Sequence, residues 1–223
     1  MELWLDSTNI NAIKELQQLG VLYGITTNPS LAAKSGKALA ELLSSLLEVQ
    51  TGPVAVQVVS SRFDEMIKQA ETLHSFSNRL IIKIPVTREG LRAISALSKK
   101  KIPIMATAIF DGSQALLAAS VGAQYLAPYY SKICDSDLNG FERFSRMVES
   151  LRSYRYPSKV IAASLRTSEQ TRACADLGLD AMTMNEEVFN DYVADHPRTL
   201  ETLSKFHSDW KNAPACKILN FQI

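Results

Sequence analysis

Short apolar runs alternate with amphipathic stretches along the whole chain. The runs are rich in β-branched residues and are bounded by turn-like segments, which favours strands. They occupy residues 2–6, 21–28, 53–59, 80–86, 103–110, 123–130, 159–164 and 181–185. Because the runs are nearly continuous in apolar residues, we predict strands of a parallel sheet that are covered on both faces.

Between the runs, apolar residues recur with the period of an amphipathic helix. These predicted helices occupy residues 9–19, 30–50, 61–76, 88–101, 112–121, 141–154, 168–177, 186–193 and 197–212. Eight strand–helix units in succession predict an α/β fold of the closed (β/α)8 type, a TIM barrel. The alternative is an open doubly wound sheet, which usually places a glycine-rich loop after its first strand; here the residues after Asp6 are Ser, Thr and Asn.

We expect a single barrel domain over residues 1–223, because no linker or low-complexity segment divides the chain. Within it, residues 197–223 follow the eighth unit, and we expect them to form a helical C-terminal extension.

One charged residue interrupts the fourth apolar run. Lys83 follows Ile82 and precedes Ile84. If the strand is covered on both faces, its ammonium reaches water only where a cavity opens. Burial of an unpaired ammonium lowers its pKa, and the neutral amine is a nucleophile toward carbonyl groups. The alternative is a lysine near a strand end whose charge reaches solvent along its flexible stem.

Polar side chains lie within or at the end of each of the first seven strands. They are Asp6, Thr26, Thr27, Asn28, Gln57, Lys83, Thr107, Tyr129 and Ser164. Active sites of (β/α)8 barrels lie at the C-terminal ends of the strands, so we expect these groups to converge on one rim. Taken singly, some have simpler explanations: Asn28 before Pro29 suits a helix N-cap, and Thr107 can pack as a valine would.

The residue types at this rim limit its chemistry. The three histidines are scattered, at His74, His196 and His207. A histidine-based metal centre or a serine–histidine triad is therefore not expected. Asp6 is the one carboxylate that we place at the rim, which leaves no pair for glycoside hydrolysis. A lysine of low pKa suits imine formation with a carbonyl substrate, with Asp6 steering protons and Tyr129, Thr107 and Gln57 holding a water for acid–base transfer.

Two cationic residues follow the sixth and seventh strands. Lys132 and Arg166, together with Ser164, predict a phosphate site, because barrels often bind phosphate near the seventh strand at a helix N-terminus. The alternative is that both cations are solvated surface residues.

Composition excludes several classes of partner. The 223 residues carry a net charge of +1, which gives no overall attraction to nucleic acid or membrane. Three cysteines without a CxxC motif indicate a reducing compartment. The N-terminus lacks the features of a signal peptide, and no apolar run approaches the roughly 20 residues of a membrane span. We expect a cytoplasmic protein that acts on small molecules and uses neither a metal nor another cofactor.

The residues at these strand ends resemble the small transaldolase family, and within it most of all the fructose-6-phosphate aldolases. The matching segments are 3–6, 24–30, 57–58, 82–87, 89–91, 107–108, 127–129 and 162–164. The resemblance implies a barrel in which Lys83 forms a Schiff base and Asp6 is its proton-transfer partner. It also implies substrate contacts by Asn28 and Ser164, to which we add Thr27, Lys132 and Arg166.

Two positions separate the subgroups of that family. Transaldolases tend to carry Glu and Phe where this chain has Gln57 and Tyr129, whereas the aldolases carry Gln and Tyr. The resemblance therefore implies a class I aldolase that cleaves or forms fructose 6-phosphate from dihydroxyacetone and glyceraldehyde 3-phosphate. The alternatives are a transaldolase that transfers a dihydroxyacetone unit between sugar phosphates, and a non-catalytic barrel that binds sugar phosphates.

Two features depart from or extend the resemblance. Lys132 stands where the family usually has an arginine that contacts phosphate, and lysine lacks the bidentate fork of arginine. The loop 134–140 is less rich in glycine than its family counterpart. The family also assembles as pentameric rings or decamers, so we expect a homo-oligomer in which Leu203, Phe206 and Trp210 of the last helix contact a partner. The alternative is that this helix packs across its own barrel floor.

Overall fold

Parallel strands close into a barrel in the order of the sequence. The computed structural model describes residues 1–135 and 139–212. Within them the strands are β1 (Glu2–Asp6), β2 (Leu22–Thr26), β3 (Val54–Gln57), β4 (Leu80–Pro85), β5 (Ile104–Ile109), β6 (Tyr125–Pro128), β7 (Lys159–Leu165) and β8 (Ala181–Met184). Each strand pairs with the next and β8 pairs with β1, which closes the sheet. The predicted (β/α)8 fold is confirmed.

Helices cover the outside of this barrel. In the described ranges they are α1 (Ile10–Gln18), α2 (Pro29–Lys34), α3 (Leu39–Val49), α4 (Phe63–Phe76), α5 (Arg88–Lys99), α6 (Gly112–Ser120), α7 (Tyr130–Asp135), α8 (Gly140–Ser153), α9 (Ser168–Asp176), α10 (Glu186–Tyr192) and α11 (Pro197–Asn212). None of the helices in this part of the chain combines the length and the apolar character that a membrane span requires.

The structure corrects several predicted elements, and the second and third strands end at Thr26 and Gln57 instead of residues 28 and 59. The single helix predicted over 30–50 is two helices, because the chain turns between α2 and α3 at Gly36, whose φ of +66° lies in the left-handed region that favours glycine. The sixth strand ends at Pro128 instead of residue 130, and the short helix α7 begins directly after Tyr129.

Apolar side chains fill both the space under the helices and the lower interior of the barrel. Along β4, Ile82 and Ile84 belong to the outer core and Ile81 belongs to the interior cluster, which also contains Trp4. Because side chains alternate along a strand, Lys83 points into the barrel above Ile81. Trp4 fills the interior so closely that a Cβ on Gly24 would lie 2.6 Å from its ring. The lower end is therefore closed by packing.

Two strands carry a one-residue bulge near their upper ends. The pairing register shifts between Ala106 and Ile109 in β5 and between Ala162 and Leu165 in β7. In each bulge one residue has a left-handed backbone, Ala108 with φ 55° and Ser164 with φ 61°. Such a bulge lets two residues face one on the neighbouring strand and re-aims the side chains around it. Both bulges flank β6, which leads into Tyr129.

The apolar face of the last helix is open in the single chain. Leu200, Leu203 and Phe206 of α11 are 49%, 56% and 60% exposed. No residue of α11 is fully buried within the part of the chain that the structure covers. The remainder of the predicted extension, residues 213–223, lies outside the described residues, as do residues 136–138 of the loop 134–140.

Candidate active site

Lys83 lies in the upper interior of the barrel with its side chain almost fully enclosed. The residue is 6% exposed, and Nζ donates a hydrogen bond of 2.7 Å to the main-chain oxygen of Thr27. No carboxylate of the described residues lies within ion-pair distance of this nitrogen. Burial lowers the pKa of Lys83, and the charge of Asp6 offsets this only in part. The structure thus favours a neutral amine.

Asp6 ends β1 beside the polar end of β2. Its Oδ1 accepts a hydrogen bond of 2.6 Å from the Thr26 hydroxyl, and its Oδ2 lies 3.5 Å from Nδ2 of Asn28. The amide oxygen of Asn28 accepts a bond of 3.0 Å from the main-chain N–H of Leu31 and so caps α2. Asn28 is therefore a helix cap and an Asp6 partner at once, because its two amide atoms serve different neighbours.

Neutral hydrogen-bonding groups surround the same space. The Thr107 hydroxyl is fully buried and lies 3.4 Å from the hydroxyl of Tyr129. Gln57 is in register with Lys83 on the adjacent strand, so both side chains point to the barrel interior. The Tyr129 ring packs against the interior cluster and meets the Phe110 ring edge to face, with centroids 5.4 Å apart. Lysine, glutamine, threonine and tyrosine therefore face the same barrel interior.

Ser164 and the two predicted phosphate-binding cations lie around α7 and the start of α9. The main-chain oxygen of Ser164 accepts a hydrogen bond from the buried Ser131 hydroxyl. Lys132 is an exposed residue of α7. Arg166, however, already forms an ion pair of 2.8 Å with Asp135, in which both side chains are about half exposed. The predicted phosphate contacts are brought to one region, but one of them is engaged by a carboxylate.

Two groups at this rim were missed from the sequence. Thr183 of β8 is 5% exposed, and its hydroxyl lies 2.6 Å from that of Thr26. In the sequence it looks like any β-branched strand residue, and only its place in the closed barrel reveals its partner.

The second missed group is Glu186 at the start of α10. It accepts hydrogen bonds of 2.5 Å from the Ser7 hydroxyl and 3.0 Å from Nδ2 of Asn9. With Asp6 it lines a cavity of about 470 Å³. The expectation that Asp6 is the one carboxylate at the rim was therefore wrong. The Asn185-Glu186-Glu187 segment directly after β8 was the available signal.

Comparison with known sequences identifies one family over almost the whole chain. The family model described as Transaldolase/Fructose-6-phosphate aldolase matches residues 3–218. A protein named "Probable transaldolase" from Clostridioides difficile (strain 630) is 37% identical over 213 residues, which cover 96% of this chain and 98% of that protein. Another of the same name, from Caldicellulosiruptor saccharolyticus, is 37% identical over 215 residues and covers 96% and 99% of the two chains.

Comparison with solved structures concerns the barrel alone. An inosine 5' monophosphate dehydrogenase from Legionella pneumophila superimposes with a TM-score of 0.58 at 14% identity, over 84% of this chain and 58% of that one. A thiamine phosphate pyrophosphorylase from Pyrococcus furiosus gives 0.57 at 14% identity, over 86% and 93%. Barrels of this kind host many unrelated reactions, so these likenesses carry the fold and no activity.

Proposed function

The chain belongs to the transaldolase/fructose-6-phosphate aldolase family, and on that premise we propose that it is a class I aldolase. In this proposal it cleaves fructose 6-phosphate to dihydroxyacetone and glyceraldehyde 3-phosphate and also runs the reverse addition. The observation that supports it most is the enclosed Lys83 amine, whose pKa is lowered by burial and whose neighbours are neutral apart from Asp6.

The first half of the proposed reaction uses Lys83 and Asp6. The neutral amine adds to the C2 carbonyl of the ketose, and loss of water with uptake of one proton from solvent gives a protonated imine on Nζ. The Asp6 carboxylate then accepts the proton of the C4 hydroxyl, the C3–C4 bond breaks, and its electron pair moves into the imine to form an enamine. Glyceraldehyde 3-phosphate leaves. In the same proposal Thr27, Asn28 and Ser164 position the sugar.

The second half decides between aldolase and transaldolase. An aldolase protonates the enamine carbon, and water then hydrolyses the imine to release dihydroxyacetone and restore the amine. A transaldolase holds the enamine until an acceptor aldehyde arrives. The contact of Thr107 with the Tyr129 hydroxyl, and the neutral Gln57 beside Lys83, support delivery of a proton from Tyr129 through a water.

The second candidate is a transaldolase that moves the dihydroxyacetone unit to an acceptor such as erythrose 4-phosphate. It is favoured by the name "Probable transaldolase" that the similar proteins carry. The third is a barrel that binds sugar phosphates without catalysis. It is opposed by the enclosure of Lys83, since a purely binding site has no need of a desolvated amine.

The experiment that separates the two activities is incubation with fructose 6-phosphate alone. We expect free dihydroxyacetone and glyceraldehyde 3-phosphate to accumulate together without any added aldehyde. Glyceraldehyde 3-phosphate that appears only after erythrose 4-phosphate is added, without free dihydroxyacetone, would establish the transaldolase instead. A Lys83→Met variant serves as the control for contaminating aldolase in the preparation.

We also propose a homo-oligomer, either a pentamer or a decamer, in which the open face of α11 contacts a neighbouring copy. Its support is the exposure of Leu200, Leu203 and Phe206 on one helix. Native mass spectrometry counts the subunits. A Leu203→Glu, Phe206→Glu double variant is expected to lower that count, and a monomeric wild-type chain would contradict the proposal.

A further inference from the structure

The hydroxyl of Thr183 lies inside the barrel, where an apolar side chain would be the simpler choice. Its strand neighbours Met182 and Met184 belong to the outer core and Ala181 to the interior cluster, so Thr183 points inward. The residue is 5% exposed. Valine fills nearly the same volume without burying a hydroxyl, and an unpartnered buried hydroxyl is costly. The hydroxyl of Thr183 therefore needs a hydrogen-bond partner.

That partner is Thr26, which links Thr183 to Asp6. The Thr26 oxygen lies 2.6 Å from Oγ1 of Thr183 and 2.6 Å from Oδ1 of Asp6. Thr26 has a single hydroxyl proton, and an ionised carboxylate can only accept. When Asp6 is ionised, Thr26 must therefore donate to Asp6 and Thr183 must donate to Thr26. The direction of both hydrogen bonds is fixed by proton counting.

We propose that Thr183 is a positioning residue for Asp6, at the end of a chain of hydroxyls that supports the ionised carboxylate. Donation by Thr183 polarises the Thr26 hydroxyl and strengthens its bond to Asp6, since hydrogen bonds in a chain reinforce one another in a low-dielectric interior. The part that this plays in catalysis rests on the proposed function, in which Asp6 accepts a substrate proton.

The chain of hydroxyls also provides hydrogen-bond partners when Asp6 is protonated. When Asp6 has taken up a proton it can donate to Thr26, and Thr26 can then turn its own proton toward Thr183. Neither hydroxyl is left unpartnered in either state, so Asp6 can gain and lose a proton without an orphaned buried group. A valine at position 183 removes this second arrangement, but Thr26 can still donate to the carbonyl oxygen of protonated Asp6, so the larger loss falls on the ionised state.

Other groups near Asp6 do not act on it through Thr183. Burial lowers the pKa of Lys83 on β4, and the charge of Asp6 opposes this in part. Asn28, the N-cap of α2, is neutral, and its Nδ2 lies 3.5 Å from Asp6. Glu186, from α10, lines the same cavity, but its oxygens are bound by Ser7 and Asn9. A change at Thr183 therefore acts on Asp6 through Thr26 and leaves these partners in place.

The test compares Thr183→Val, Thr183→Ala and Thr183→Ser in the full chain. Two quantities are measured: the pH dependence of kcat/KM for fructose 6-phosphate cleavage, and the titration of the Asp6 carboxyl carbon by NMR, assigned with Asp6→Asn. We expect Val and Ala to move the acidic limb of the rate profile and the NMR midpoint to higher pH by about half a unit. Ser, which keeps the hydroxyl, is expected to match the wild type.

Thr171→Val is the control, because Thr171 is a fully buried threonine whose hydroxyl bonds the main chain of its own helix. We expect it to leave both profiles unchanged. An Asp6 midpoint that is the same in Val, Ala and wild type would overturn the proposal, as would a Ser variant that behaves like Val. If the midpoint shifts as expected but the wild type does not cleave fructose 6-phosphate, the hydroxyl chain stands and the proposed function fails.

Discussion

The two ends of the barrel give an ionisable side chain opposite surroundings. At the lower end, Glu2 accepts hydrogen bonds of 3.2 Å from Nε1 of Trp4 and 3.0 Å from the Tyr125 hydroxyl, and it pairs with Lys159. At the upper end, Lys83 has one main-chain carbonyl as its partner. The lower charge is surrounded by donors, whereas no carboxylate in the described part of the chain lies within ion-pair distance of the upper amine.

The pKa shifts at the two ends follow from this difference. Contact with Glu2 raises the pKa of Lys159, and burial next to Glu2 raises the pKa of Tyr125, so both of these groups stay protonated as donors. Burial lowers the pKa of Lys83. Burial alone therefore does not make a group reactive: hydrogen bonds and an ion pair satisfy Glu2 at the lower end, whereas burial shifts Lys83 at the upper end toward its neutral, nucleophilic form.

Replacement of Lys83 is expected to have the largest effect on activity. Lys83→Met removes the nucleophile, so fructose 6-phosphate cleavage should fall by about 10⁴-fold or more. Because methionine has no amine to desolvate, the variant should be at least as stable as the wild type. Turnover measurements test the loss of activity, and thermal unfolding tests the stability. A variant that keeps a tenth of the activity contradicts the assignment of Lys83.

The stability of the wild type relative to Lys83→Met should depend on pH in a defined direction. Between the lowered pKa of folded Lys83 and its ordinary value of 10.5, the unfolded chain holds a proton that the folded chain lacks. Wild-type stability therefore rises with pH across this window relative to Lys83→Met. Denaturant unfolding of both proteins at several pH values measures this, and a wild type that loses stability relative to Lys83→Met as pH rises toward 10.5 would show a protonated, paired lysine.

Tyr129→Phe is expected to have the next largest effect. Loss of the hydroxyl should lower aldolase turnover by about 10²-fold, because the enamine loses its proton source. Transfer of the dihydroxyacetone unit to erythrose 4-phosphate should fall much less. The ratio of free dihydroxyacetone to transfer product is the readout, with Phe110→Leu as a control that alters packing around Tyr129 and keeps its hydroxyl. An unchanged ratio in Tyr129→Phe would remove Tyr129 from the proton path.

A substitution at the lower end of the barrel should change the stability of the fold and not the rate of the reaction. Glu2→Ala leaves the Trp4 N–H and the Tyr125 hydroxyl without their acceptor, so the free energy of unfolding should fall by about 2 kcal/mol. Imine formation at Lys83 should be unaffected at a temperature where the variant is folded. Urea unfolding and turnover together check this, and a loss of activity without a loss of stability would show that the two ends are coupled.

The smallest effect is expected at the predicted phosphate site. Asp135 competes with a substrate phosphate for Arg166, and exposed ion pairs of this kind contribute about 0–1 kcal/mol. Asp135→Asn should therefore lower KM for glyceraldehyde 3-phosphate in the synthetic direction by about two- to five-fold. KM for unphosphorylated glyceraldehyde is the control and should not change. A higher KM for the phosphorylated aldehyde would mean that Asp135 orients Arg166 for binding.

The sequence predicted features that depend on pattern and missed those that depend on closure of the barrel. The alternation of strands and helices predicted the barrel, because hydrophobic periodicity is a local signal. The position of Lys83 inside an apolar strand predicted its reactive role, because the cost of burying a charge can also be inferred from neighbouring residues. Thr183 and Thr26 meet across strands that are far apart in the chain, so their contact had no local signal.

Two local features were also out of reach. The bulges at Ala108 and Ser164 place residues other than glycine in the left-handed region, a conformation that local propensity argues against and that the surrounding sheet imposes. The turn at Gly36 was hidden because the residues on both sides of it are rich in Ala and Leu, which are strong helix formers.

The proposed reaction begins with a Lys83 amine that is neutral enough near neutral pH to condense with a ketone. Borohydride reduction in the presence of dihydroxyacetone, followed by peptide mass spectrometry over a series of pH values, tests it directly. We expect one reduced adduct, on Lys83, whose yield stays high well below pH 10.5, the ordinary lysine value, and only falls as the lowered pKa is crossed. An unmodified Lys83, or labelling that appears only near pH 10.5 and on exposed lysines as well, would contradict it and would favour a non-catalytic binding barrel.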